Sequence, residues 1–171
     1  WDTVGKSDLD IRYFWRQDYL HGFVHIDKTT DIDRPGAEGE VLGEGPVLDK
    51  SMEYLQKIVD LVEEQGAQLV LVGAPCQASE ELLQKFNRIK RFAEENQIPY
   101  LDYNGKMEEV GLDRFADFCE PDHLNYLGAQ KVTSHFGDWL RANFDLPDHR
   151  GEEAYCGWDE DLARYQAGLA K

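Results

Sequence analysis

Residues 119–132, CEPDHLNYLGAQKV, set two carboxylates, Glu120 and Asp122, within three positions of His123 and follow them with Asn125. A general base needs an ordinary pKa near neutrality, a position at a cleft and a partner that fixes its tautomer. His123 supplies the first, and Glu120 or Asp122 stands close enough in sequence to take one ring N–H. From about Tyr126 the apolar spacing is that of an amphipathic helix, so Asn125 falls where a side-chain oxygen caps the first turn. His123 then lies near the positive end of a helix dipole, which disfavours imidazolium and keeps the ring ready to accept a proton. The bland alternative is a histidine that packs or caps beside solvated acids. The surrounding elements must decide between the two.

Those elements have readable periods. In residues 49–65 apolar side chains recur at Met52, Leu55, Val59 and Val62, with Ile58 beside them and Gly66 at the place of a left-handed C-cap. Residues 67–75, AQLVLVGAP, form a short apolar run closed by Gly73 and Pro75, the pattern of a strand covered on both faces. Ser79 can cap the next helix, Glu80 and Glu81 complement its dipole, and Leu82, Phe86, Ile89 and Ala93 line one face. IPYLDYN, residues 98–104, reads as the next strand, and residues 115–125 as the loop carrying His123. The last core helix runs over residues 126–140, with Val132, Phe136 and Trp139 inward. This order predicts an α/β domain: a doubly wound, mainly parallel sheet flanked by helices, with residues 67–73 and 98–102 adjacent and parallel. Such sheets bind ligands beyond the carboxyl ends of their strands, which puts residues 74–77 and 102–104 on the functional edge. Cys76 and Gln77 there, together with Asn125, are the candidate substrate-contacting residues.

On this reading one domain covers residues 1–146, and residues 147–171 form an extension with an added helix marked by Trp158, Leu162, Tyr165 and Leu169. Residues 11–26 are rich in aromatic side chains without a clean period and end in an expected strand at 22–26. Residues 27–46, rich in Gly, Pro and acids, are expected to be an exposed loop. Two or three parallel strands are few for a doubly wound sheet, so the fold is expected to be incomplete at its N-terminal side.

Composition narrows the partners. The 171 residues are 42% apolar and 12% aromatic, enough for one core, and carry a net charge of −16. That field repels a phosphate backbone and an anionic membrane surface, so neither nucleic acid nor direct membrane contact is expected. No apolar run reaches the roughly 18 residues that cross a bilayer. Cys76, Cys119 and Cys156 have neither disulfide-framework nor zinc-ligand spacing. A metal site from His21 and His25 plus the acids near His123 is weak, because HGFVH reads as a strand that would hold the rings roughly 13 Å apart. No Gly-rich loop after a strand offers a phosphate cradle. No metal or cofactor is expected.

FADFCEPDHLNYLGAQKVTSHFGDWL, residues 115–140, is similar to the C-terminal block of SGNH (GDSL-type) hydrolases, in which an acid three positions before a histidine completes a Ser-His-Asp triad. The form His-Leu-Asn-x-x-Gly-Ala at residues 123–129 resembles bacterial cell-envelope members related to the protein of D-alanyl transfer to teichoic acids. The resemblance spans roughly residues 13–144, though its specific motif is short. It implies a flavodoxin-like sheet, His123 as base and Glu120, in place of the usual Asp, as the acid orienting it, with Asp122 competing for that role. It also implies an acyl-ester hydrolase or O-acyltransferase acting on a cell-envelope carbohydrate, outside the cytoplasm. The base would deprotonate a serine that attacks the ester carbonyl, and the imidazolium would protonate the leaving oxygen. The family's serine turn and oxyanion donors are not identifiable here. Ser7 in VGKSDLD lacks a full strand feeding it, and Ser51, Ser79 and Ser134 fall in or at the start of helices. The expectation is therefore that this chain alone hydrolyses little, and that a longer form carries the serine. The rival is a catalytically degenerate module that binds a glycan or an envelope protein partner, with Trp15 and Tyr19 stacking on sugar rings.

Overall fold

A computed structural model describes residues 20–32 and 41–169. They divide between two compact units, one of residues 26–138 and one of residues 20–25 and 139–169. The expected roles of Ser7, Trp15 and Tyr19 lie outside the described residues.

The larger unit is α/β, built on one parallel βαβ. Helix α1 (Asp49–Glu64) closes as its sequence requires: Gly66 adopts φ +65°, its N–H reaches the Glu63 carbonyl, and the Ala67 N–H reaches Val62, so two terminal carbonyls are satisfied by a left-handed cap. Strand β1 (Leu71–Gly73) pairs in parallel with β2 (Tyr100–Asp102), Val72 opposite Leu101. Between them α2 (Glu80–Glu95) starts on Ser79, whose hydroxyl accepts from the Leu82 N–H at 3.3 Å. Helix α2 packs against β2, and Phe92, Ala93 and Leu101 are core residues.

Three expectations are corrected, the third in the smaller unit. Strand β1 is not covered on both faces, because Val72 is 43% exposed. An apolar run announces affinity for a core but not that a second layer exists to cover it, and the parallel sheet has two strands among the described residues. Residues 118–124, expected as loop, form an antiparallel hairpin of β3 (Phe118–Glu120) and β4 (His123–Leu124) with a bulge between Phe118 and Glu120. Phe118 and Cys119 are buried, which anchors the hairpin and leaves the turn at Pro121 and Asp122 to redirect the chain. A 3₁₀ turn (Asn104–Lys106) and the short α3 (Met107–Val110) connect β2 to this hairpin. Helix α4 (Tyr126–Asn143) follows directly, in the place foreseen.

In the smaller unit α5 (Cys156–Leu169) is the added helix. Residues 22–25 are not a strand. His21 and Gly22 both take positive φ, 49° and 88°, which turns the chain. His21 then stacks on Trp158 at 4.0 Å between ring centroids, with Nε2 3.0 Å from Asp161 Oδ2, and His25 Nδ1 lies 2.6 Å from the Tyr165 hydroxyl. HGFVH is thus fixed by one face of α5. Among the described residues no helix is long and apolar enough to cross a membrane, and no three metal-ligating side chains converge.

Candidate functional site

The site is built where the segment after β1 meets the hairpin. The Gln77 N–H donates to the Pro121 carbonyl at 2.8 Å, which joins the carboxyl end of β1 to the turn that precedes His123. Gln77 is itself buried, and its side-chain amide donates to the Arg114 carbonyl at 2.9 Å. From β2, Asp102 accepts the backbone and side-chain N–H groups of Asn104 at 2.9 and 2.8 Å. Asn104 passes this order on: its Oδ1 accepts the Cys76 N–H at 3.0 Å and sits 3.5 Å from Cys76 Sγ, and its Nδ2 donates to the Ala74 carbonyl. Residues 74–77 and 102–104 are therefore knitted into one edge.

The hairpin is held from the other side by an acidic framework that sequence reasoning missed. Asp117 is fully buried. It accepts from Lys131 Nζ at 2.6 Å and from the Asp113 N–H at 2.7 Å, while its own N–H reaches the Asp113 carbonyl. Asp113 in turn accepts the N–H groups of Ala116 and Phe115, which hold its carboxyl below the ordinary carboxylate value. In a chain with 34 acids no composition signal separates these two from their neighbours; the i, i+4 spacing of Asp113 and Asp117 is the one clue.

The family-like motif then resolves into structural and unassigned parts. Asn125 is buried, accepts the Gly128 N–H at 3.1 Å as the cap of α4 and donates to the Ala116 carbonyl at 2.7 Å. Gly128 is required by close approach: a Cβ there would lie far inside van der Waals contact with the Asp117 carbonyl oxygen and 2.8 Å from Leu124 Cδ2. Packing explains both. It does not explain His123, whose side chain is 70% exposed.

His123 Nδ1 lies 3.8 Å from Glu120 Oε2, with the Glu120 side chain 62% exposed. That is ion-pair range and longer than a hydrogen bond. Asp122 is exposed on the intervening turn. So the hairpin brings Glu120 and His123 to one end, across from each other in register, and brings Cys76 and Gln77 alongside through Pro121. It does not bring a described serine: Ser79 caps α2, while Ser51 and Ser134 are exposed on α1 and α4. The N–H groups of Cys76 and Gln77, placed where an oxyanion hole would be convenient, already donate to Asn104 and Pro121.

A second ordered group lies behind the edge. Tyr103, fully buried, places its hydroxyl 3.0 Å from His135 Nδ1; His135 Nε2 is 3.2 Å from Glu109, which also accepts from Lys106 Nζ at 2.6 Å. Lys106 and then His135 hold the Glu109 carboxyl low, while burial and the Glu109 charge push the Tyr103 phenol up. Compared with known protein families, curated proteins and solved structures, the chain matches none.

Proposed function

We propose that this chain carries the base and its orienting acid of an SGNH-type ester hydrolase or O-acyltransferase, acting on acyl esters of a cell-envelope carbohydrate. In this reading the parallel pair β1 and β2 belongs to a doubly wound sheet, and the site lies beyond its carboxyl edge. The observation that supports it is the contrast within the motif: Asn125 and Gly128 are accounted for by capping and packing, whereas His123 projects into solvent with Glu120 3.8 Å away. An exposed imidazole beside a carboxylate can take a proton from a hydroxyl and return it to a leaving oxygen. Glu120 orients the ring once a substrate draws the pair together.

The base needs a nucleophile, and none of the described serines reaches it. Ser7 lies outside the described residues, so this reading assigns covalent catalysis to a serine outside them, in a longer form of the protein, and leaves the described residues with general-base help to water. A second reading is favoured by the filled N–H groups of Cys76 and Gln77: a degenerate module of the same fold that binds a glycan or a protein partner without chemistry. The test compares hydrolysis of small acetyl esters by this chain and by a form extended upstream, each with and without His123→Ala. Turnover in the extended form that is lost with His123→Ala supports the esterase reading. Inactivity of the extended form toward every acyl donor, with tight binding to an envelope glycan or protein, selects the module.

A further inference from the structure

A line of hydrogen bonds runs from the carboxyl end of β2 to the turn ahead of His123, and it starts at a carboxylate that the proposed reaction does not use. Asp102, the last residue of β2, takes two N–H groups on one oxygen: Oδ1 accepts the Asn104 backbone N–H at 2.9 Å and Asn104 Nδ2 at 2.8 Å. A carboxylate can only accept, so this pair of bonds settles which way the Asn104 amide faces. Its oxygen is turned to the segment after β1, where it accepts the Cys76 N–H at 3.0 Å, and Nδ2 also reaches the Ala74 carbonyl at 3.2 Å. The next N–H along the chain, that of Gln77, donates to the Pro121 carbonyl at 2.8 Å. Pro121 follows Glu120 and stands two residues before His123.

Three features say what this line does. First, it holds the tip of the hairpin. Buried Asp117, Phe118 and Asn125 secure the base, with the Asn125 N–H on the Asp117 carbonyl, whereas Glu120 and His123 stand at the tip beside Pro121. Second, these two side chains are exposed and 3.8 Å apart, so their placement comes from the backbone of the turn and not from a bond between them. Third, the line has little slack. Gln77 is buried with its side-chain amide on the Arg114 carbonyl, and a Cβ on Gly73 would lie 2.8 Å from Asp102 Oδ1, close enough to push the carboxylate off Asn104.

We infer that Asn104, held by Asp102, is a positioning residue for the base. It fixes the backbone at Cys76 and Gln77, and through Pro121 it fixes where Glu120 and His123 meet a substrate. The inference rests on the esterase reading and deepens it: Asn104 acts through His123 and not on the reacting atoms.

Two arms test it. In this chain, hydrogen exchange followed by NMR should show the Gln77 amide opening about tenfold faster in Asn104→Ala, while the Asn125 amide at the base of the hairpin keeps its rate. In the form that hydrolyses acetyl esters, Asn104→Ala should lower kcat about ten- to a hundredfold and change KM less than about twofold, the scale of a displaced catalytic group. Asp102→Ala should do the same, and Asp102→Asn, which keeps the accepting oxygen, should stay within about threefold of the parent. Asn104→Ala combined with His123→Ala should be no slower than His123→Ala alone, because both act on one step. The inference is overturned if the Gln77 amide exchanges as in the parent, if it and the Asn125 amide speed up together, or if turnover that needs His123 survives Asn104→Ala. Turnover unaltered by His123→Ala, or none at all, overturns the esterase reading instead, and a Gln77 amide released in Asn104→Ala then still marks Asn104 as what places the hairpin tip.

Discussion

The His123 hairpin and the Tyr100 phenol on β2 are built on opposite terms. Around the hairpin the buried polar groups Asp117, Asn125 and Gln77 all have partners, and the charged pair His123 and Glu120 stands out in water. At Tyr100 a phenol is buried with no hydrogen-bond partner among the described residues. The first arrangement fixes a backbone so that two exposed side chains can act. The second leaves a buried hydroxyl without a bond among the described residues.

The largest effect should come from breaking the complete side. Gly128→Ala forces a Cβ onto the Asp117 backbone and should cost about 3 kcal/mol or more, as overpacking against a rigid neighbour does. Urea unfolding measures it, and a loss below 1 kcal/mol would show that α4 can slide away from the hairpin. Next is Asp117→Ala, which takes from Lys131 one of its two acceptors, the other being the Gly111 carbonyl, and leaves the Asp113 N–H without its own; a loss of about 1–3 kcal/mol is expected. Lys131→Met should cost a similar amount, because it leaves the buried Asp117 carboxylate without its cation.

The acid limb of stability sharpens the same contrast. Glu109 and Asp113 titrate below their ordinary values of 4.5 and 3.8. A carboxylate depressed by folding adds stability above its unfolded value, and that stability is lost as pH falls through the folded value. Melting temperature should therefore decline on acidification from about pH 5 downward, and Glu109→Gln and Asp113→Asn should each flatten that decline. Parallel curves for the variants would remove both groups from the account. The smallest effect is expected at Tyr100→Phe, where an orphan hydroxyl is deleted: stability should stay within about 0.5 kcal/mol or rise.

Single-residue rules carried much of the fold from the sequence. Ser79, Gly66 and Asn125 each have one physical job at a helix end, and each does it. The parallel pairing of β1 and β2 was legible because two short apolar runs bracket a capped amphipathic helix. The hairpin was not, because strands of three and two residues have no period to read, and its pairing depends on burial of Phe118 and Cys119. Nor was the exposure of Val72, which depends on what covers a strand rather than on the strand. Spacing led to the expectation of a hydrogen bond from His123 to Glu120 or Asp122; the separation of 3.8 Å from Glu120, the register of the two across a hairpin turn and the bond from Gln77 to Pro121 needed the fold.

The central claim is that His123 is a base, and the pH–rate profile of acetyl-ester hydrolysis tests it most directly. In the form of the protein that turns over, kcat/KM should rise with pH along a single limb near the imidazole range, and His123→Ala should remove that limb and about 10² to 10⁴ of the rate with the melting temperature unchanged. Glu120→Gln should retain the limb and lower the rate less than His123→Ala does, because it removes the residue that orients the ring and not the base. A profile and rate unaltered by His123→Ala would contradict the claim and leave His123 an exposed residue on a well-made hairpin.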